Sequence, residues 1–177
     1  MSQARLQKIG GASLARWAAR ARALGAADAR LVRPGGVVCA EWVRLKCQYG
    51  CDGYGGSLTC PPFTPTPAQT RRVLDEYRHL LLVHCTRWHS VTKLVTTLER
   101  ELFLDGYHKA FAWVAGPCTL CRTCDTSVPC RHGERARPSM EACGIDVYAT
   151  ARRAGLPISV VRHERDEQNY YGLIGID

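Results

Sequence analysis

Hydrophobic residues recur at helical spacing over Ser13–Leu24, where Leu14, Trp17, Ala18, Ala21 and Leu24 share one face. Arg16, Arg20 and Arg22 lie off that face, and Gly25 supplies a stop. After the turn Arg33-Pro34-Gly35-Gly36, the apolar run Val37–Leu45 predicts a strand. Thr66 followed by Pro67 predicts a capped helix start, with the helix running to about Tyr77. Leu80–Cys85 is continuously apolar over a strand's length and predicts a buried strand. Ser90 is a candidate cap for a helix through Leu104, with Leu94, Leu98 and Leu102 aligned and Gly106 closing it. Tyr107–Ala115 predicts a further strand. Arg137–Arg153 predicts a helix broken at Gly144, and Pro157–Arg162 and Tyr170–Ile176 predict two closing strands.

This alternation predicts an α/β fold: a single domain with a central, mostly parallel sheet flanked by helices and two cysteine-rich loops. Both loops are expected to follow the carboxyl ends of strands, where open α/β sheets place their ligands. Residues 1–36 read as an N-terminal helix and linker and residues 37–177 as the cysteine-rich domain, the two forming one compact unit. No apolar run approaches the ~18 residues of a membrane span. The N-terminal stretch is basic without a continuous apolar centre, which argues for an amphipathic helix over a secretory or transit leader.

Cysteine content changes the picture. Ten cysteines in a chain read as cytoplasmic point to metal or redox chemistry, because a reducing compartment does not sustain a disulfide framework. The net charge of +8 is carried mainly by arginine. Such a balance suits an acidic partner, an anionic substrate or compensation of a negatively charged metal cluster. Aromatic residues make up only 8% and do not alternate with the basic ones, so nucleic-acid stacking is disfavoured.

Five cysteines fall in Gly116–Val147, and Cys118, Cys121 and Cys124 stand at C-x2-C-x2-C. One short arc presenting three thiolates suits a [4Fe–4S] cube, with the fourth ligand drawn from elsewhere. A structural zinc ion usually takes two separated C-x2-C knuckles, which makes zinc the alternative. Cys47, Cys51 and Cys60 form a second group in a loop with Gly50, Gly53, Gly55 and Gly56, where backbone can approach a cofactor closely. Cys39 and Cys85 lie in apolar runs and read as buried thiols. Cys47, Cys51, Cys60, Cys118, Cys121, Cys124, Cys130 and Cys143 remain, the number two [4Fe–4S] clusters require. A one-cluster arrangement, with the Cys47 group binding zinc or a cluster with an open iron, is the other reading.

His108 and His132 flank the main loop, and Glu141 and Asp146 flank Cys143; a loop-amide contact or an ion pair with Arg137 is the expected role of the carboxylates. Arg122, Arg131, Arg135 and Arg137 form the densest basic patch, a candidate docking surface for an acidic redox partner or an anion. No Ser–His–Asp set, phosphate loop or dinucleotide fingerprint is present in the sequence.

The ordered motifs Cys47…Cys51-Asp52-Gly53-Tyr54-Gly55…Cys60-Pro61-Pro62, Gly106-Tyr107-His108-Lys109-Ala110, Gly116-Pro117-Cys118 and Arg137-Pro138-Ser139-Met140-Glu141-Ala142…Gly144-Ile145-Asp146-Val147 resemble a bacterial and archaeal family. That family is described as predicted metal-binding proteins, domain of unknown function 2284, and the resemblance covers Val37 to Ile176. It implies a metal and no particular reaction. The Cys118–Cys130 loop is also similar in spacing to ferredoxin loops, although Pro129 precedes the last cysteine instead of following it. The expected function is one-electron transfer to a partner protein. The alternatives are a small iron–sulfur enzyme with an open coordination site for a small-molecule substrate, and a zinc-binding interaction module.

Overall fold

The computed structural model describes residues 11–177, with side chains from Leu14 onward; residues 1–10 of the basic N-terminal stretch lie outside it. The elements are α1 (Gly11–Ala23), β1 (Asp28–Val32), α2 (Glu41–Gly50), α3 (Pro67–Asp75), β2 (Leu80–Cys85), α4 (Trp88–Leu104), β3 (Phe111–Trp113), α5 (Val147–Arg153) and β4 (Tyr170–Gly175). Local signals explain several of them. Thr66 accepts from the Gln69 amide while Gln69 accepts from the Thr66 amide, a reciprocal capping box that starts α3 at Pro67. Gly25 and Gly106 follow α1 and α4 with φ of 102° and 100°, where a side chain would be strained. α4 begins before Ser90, at Trp88, and Arg87 provides no side-chain cap.

The four strands form one sheet in the order β1-β2-β4-β3, and every neighbouring pair is antiparallel. The mostly parallel α/β sheet expected from the alternation is therefore replaced by an α+β arrangement. The reason lies in β4. β2, α4 and β3 do make a crossover, since both strands run opposite to β4, but β4 inserts between them and takes both ladders. Glycines make that insertion possible. A Cβ on Gly172 would lie 2.7 Å from Val95 and 2.8 Å from Val91, and one on Gly175 would lie 2.3 Å from Tyr77.

Side chains alternate across β2. Leu81, Val83 and Cys85 pack with Leu14, Trp17, Leu98 and Leu102 of α1 and α4. Leu80 and Leu82 pack on the opposite face with Leu74, Met140, Cys143, Ile145 and Leu156. Arg20 grips Glu101 with two bonds of 2.9 and 2.6 Å, tying α1 to α4 at the surface. Arg137 donates to both carboxylate oxygens of Glu99 at 3.0 and 2.9 Å, and this pair is largely enclosed.

Three further sequence expectations are corrected. Val37–Leu45 is not a strand of the sheet: Cys39 makes an isolated bridge to Ile145, and α2 begins at Glu41. Of the apolar residues of α2, Trp42 and Leu45 remain exposed while Val43 is buried. Pro157–Arg162 forms no ladder, and Val160 and Val161 stay exposed. The segment after Arg137 gives a short 3-10 turn, Glu141–Cys143, and then α5, which Asp146 caps by accepting from the Ala149 amide at 2.8 Å. β1 was not anticipated, because only Ala29 of its five residues is fully buried and no alternation marks it.

Gly144 separates the 3-10 turn from α5 at φ 75°, and a Cβ there would lie 2.3 Å from Pro67 Cγ. Gly144→Ala is expected to destabilise the fold by about 2 kcal/mol or more, combining left-handed strain with the clash on α3. Urea unfolding of the variant beside the unmodified protein measures this.

Candidate metal centre

All ten cysteines are free thiols, and they fall into distinct settings. Cys47 projects from α2, Cys51 is the residue that ends that helix, and Cys60 closes the following glycine-rich loop. The first loop therefore follows a helix, contrary to the expectation that both loops follow strands. Cys118, Cys121, Cys124 and Cys130 lie in the irregular segment after β3.

The two loops meet. Burial pushes the Cys60 thiol above the ordinary range, and the nearby thiols of Cys51, Cys118 and Cys124 push it further. The Cys47 thiol is raised likewise by burial and then by Cys51, with smaller contributions from Glu141 and Cys60. Gly53 stands between two of these sulfurs: a Cβ there would lie 3.5 Å from Cys51 Sγ and 3.7 Å from Cys60 Sγ. Backbone amides reach the thiols as well. The Gly53 N–H donates to Cys51 Sγ and the His132 N–H to Cys130 Sγ, each at 3.4 Å. Sulfur that receives an amide hydrogen is better able to carry negative charge, which is what a metal thiolate requires. Among the described residues, no three His, Cys, Asp or Glu side chains gather around one point suited to a single ion. The donor set, thiols with amides directed at them and an open face at Gly53, fits a thiolate-bound metal group.

Cys143 is set apart. It is fully buried in the layer with Trp113, Met140 and Leu74, and burial raises its thiol to about 12. Cys85 is buried in the opposite layer, and Cys39 is half-buried beside the same core as Cys143.

A network of neutral and charged donors holds the first loop to the 3-10 turn. Arg44 of α2 donates to Thr64 Oγ1 at 3.0 Å, Pro65 O at 3.1 Å and Ala142 O at 2.9 Å. Thr64 Oγ1 donates to Ala142 O at 2.6 Å and Thr70 Oγ1 to Cys143 O at 2.7 Å. Neither the arginine nor the two threonines carry a sequence motif that would single them out.

Of the predicted basic patch, Arg122, Arg131 and Arg135 are exposed. Arg137 instead spends its Nε on Glu99 and its Nη1 on the Gly133 and Ala136 carbonyls. Glu141 accordingly has no arginine partner; it stands beside Cys47, burial pushes its carboxyl up, and its enclosed Oε2 has no partner among the described residues. His132 Nδ1 lies 3.1 Å from Arg135, and His108 is exposed.

A family model described as predicted metal-binding protein, domain of unknown function 2284, matches residues 30–176. The chain belongs to that family. No curated protein and no solved structure matches the chain. Membership in this family of predicted metal-binding proteins agrees with a cysteine-rich site, and the match takes in the whole sheet from Arg30 of β1 onward. No helix among the described residues is long and apolar enough to cross a membrane.

Two substitutions separate the settings. Gly53→Val is expected to fill the gap between Cys51 and Cys60 and to abolish most metal binding, whereas Gly53→Ala, at ordinary contact distance, retains it. Cys143→Ala is expected to keep the full metal content and to lose about 1 kcal/mol of stability, the packing of one small buried side chain. Metal analysis and denaturant unfolding of the purified variants check both outcomes.

Proposed function

We propose that the chain is an iron–sulfur protein serving one-electron transfer, with its metal group held between the Cys47/Cys51/Cys60 loop and the Cys118/Cys121/Cys124/Cys130 loop. The observation that carries this reading is a shared cavity: Cys47, Cys51 and Cys60 border it together with Gly116 and Pro117, which lead directly into the Cys118 loop. Thiols that approach one region from two loops lose their protons when a metal group binds them, and the bound cation offsets the negative charge they then carry. An iron–sulfur cluster bound there supplies a one-electron couple. The protein's part is to place the thiols where a bound metal displaces their protons and to direct the Gly53 and His132 amides at Cys51 and Cys130, which stabilises negative charge on sulfur. Exposed Arg122, Arg131 and Arg135 on the second loop would steer an acidic partner to the site.

The count of thiols favours a second reading beside the first. With Cys143 assigned to the core, seven cysteines remain for the two loops, one fewer than two cubes of four thiolates use. One iron would then take a different ligand or stay open. The Cys47 loop also borders a cavity of about 770 Å³, where a small-molecule substrate has room. A small iron–sulfur enzyme is the reading those two observations support.

The deciding measurement is metal and sulfide content after anaerobic purification. Iron with acid-labile sulfide, together with broad absorption near ~400 nm, is expected. Stoichiometric zinc without sulfide would move the chain to a zinc-stabilised interaction module.

A further inference from the structure

The cavity beside the first cysteine loop has an aromatic wall in addition to its thiol end. Its volume of about 770 Å³ falls within the roughly 300–1,000 Å³ typical of small-molecule sites. Trp42 of α2, Trp88 of α4 and Tyr148 of α5 line it, and they keep 47%, 39% and 36% of their surface open. Large aromatic side chains left open on one concave surface mark a place where an apolar body docks.

Charge singles out one part of that wall. Lys46 lines the cavity and is exposed. Every ion pair among the described residues is made by an arginine or by His79, so the Lys46 ammonium has no carboxylate partner there. Trp42 and Lys46 stand at i and i+4 of α2, which makes them neighbours on one face of the helix. Cys47, one residue further on, is turned about 100° away round the helix.

The two carboxyls of the wall are already committed. Asp146 accepts from the Ala149 amide as the cap of α5. Glu141 takes hydrogen bonds from Ser139 and from its own amide, and its Oε2 is closed off from the cavity. Asn169 Oδ1 meets His84 Nε2 at 2.7 Å, and Gln168 accepts from the Tyr170 hydroxyl. Tyr148 and Tyr171 donate to the carbonyls of Ser159 and Pro157. The exposed hydroxyls of Tyr54 and Ser159 are able to donate as well. What this wall lacks is an acceptor that carries a negative charge.

We propose that this cavity binds a singly charged aromatic carboxylate, seated with its carboxylate on the Lys46 ammonium and its ring against Trp42, Trp88 and Tyr148. An ionised carboxylate only accepts, which matches the donors left free. One ammonium offsets one negative charge, so a phosphate dianion would keep an unmet charge against an apolar wall. An uncharged molecule of the same shape gains the ring contact and leaves Lys46 without a partner. The proposal deepens the reading of this cavity as a substrate site, and it rests on the iron–sulfur reading only for what occupies the thiol end.

The test titrates 2-naphthylacetate and the uncharged 2-naphthylacetamide, anaerobically and at low salt, into the purified full chain. Calorimetry reports binding, and iron, zinc and sulfide are assayed on the same sample. An ion pair at an exposed lysine gains little, so the carboxylate is expected to bind about fivefold tighter than the amide, a margin that closes in high salt. Lys46→Met, which keeps an apolar stem, should bring the carboxylate down to the amide's affinity, and Lys46→Arg should keep the margin. Ser159→Trp, at an exposed position on the cavity wall, should weaken both probes. Equal affinity for the two probes, no binding of either, a margin that survives Lys46→Met, or unchanged binding to Ser159→Trp would overturn the proposal. So would loss of metal from Lys46→Met, since the ammonium would then serve to balance the metal group. Binding by a preparation that holds zinc without sulfide would leave the proposal standing and sink the iron–sulfur reading; iron and sulfide without binding would do the reverse.

Discussion

The carbonyls of Ala142 and Cys143 are the anchor on which the site depends. Arg44 and Thr64 both donate to the first, and Thr70 donates to the second, so α2, the first cysteine loop and α3 are bound to one short turn. That turn is itself fixed from the sheet side, because Met140 and Cys143 are buried among Leu74, Leu80, Leu82 and Leu173. A hydrogen bond from a cationic guanidinium to a buried carbonyl is among the stronger ones a protein makes. Without this clamp nothing in the sheet would hold Cys47 and Cys51 near the second loop, since α2 contributes only Val43 to the buried interior.

The sheet and the clamp divide the work. The β2–β4 core gives two apolar faces with alternating side chains, one for α1 and α4 and one for α3, the turn and α5. Cysteines are distributed accordingly. Cys85 and Cys143 take positions where a small apolar group packs, and the remaining loop thiols stand where polar backbone and solvent meet. The Glu99–Arg137 pair extends the second loop's exit into the interior, with the arginine also satisfying the Gly133 and Ala136 carbonyls. A residue that looks by sequence like part of a basic surface is thereby a structural brace.

Legibility in the sequence followed the locality of the signal. The capping of α3 by Thr66 and Pro67, the buried strand Leu80–Cys85 and the helix-ending glycines depend on neighbours within a few residues, and each reads directly. The two cysteine groups stand out in the sequence for the same reason, since their spacing is also local. Sheet direction was not. It depends on β4 reaching back between β2 and β3, a choice made possible by the missing side chains of Gly172 and Gly175 against Val95 and Tyr77. Val37–Leu45 misleads for a related reason: its β-branched start is extended, but the residues that follow pack on the 3-10 turn instead of a ladder. For Cys143 the sequence leaves open a cluster ligand or a core thiol behind Met140, and its full burial beside Met140 depends on the core built around it.

The chain order of the ladders bears on how such a protein is made. The first cysteine loop lies between β1 and β2, and the second lies between β2 and β4, which pair only after the C-terminal strand exists. Pairings this distant in sequence form late, since the intervening chain must be closed before the contact rewards it. On a ribosome both loops would emerge with their thiols exposed and unassembled, and β4, made after both of them, would be the strand that closes the sheet behind them. Until β4 is made and paired, the thiols of both loops stand exposed, so their protection in reduced form falls to the interval before the sheet closes.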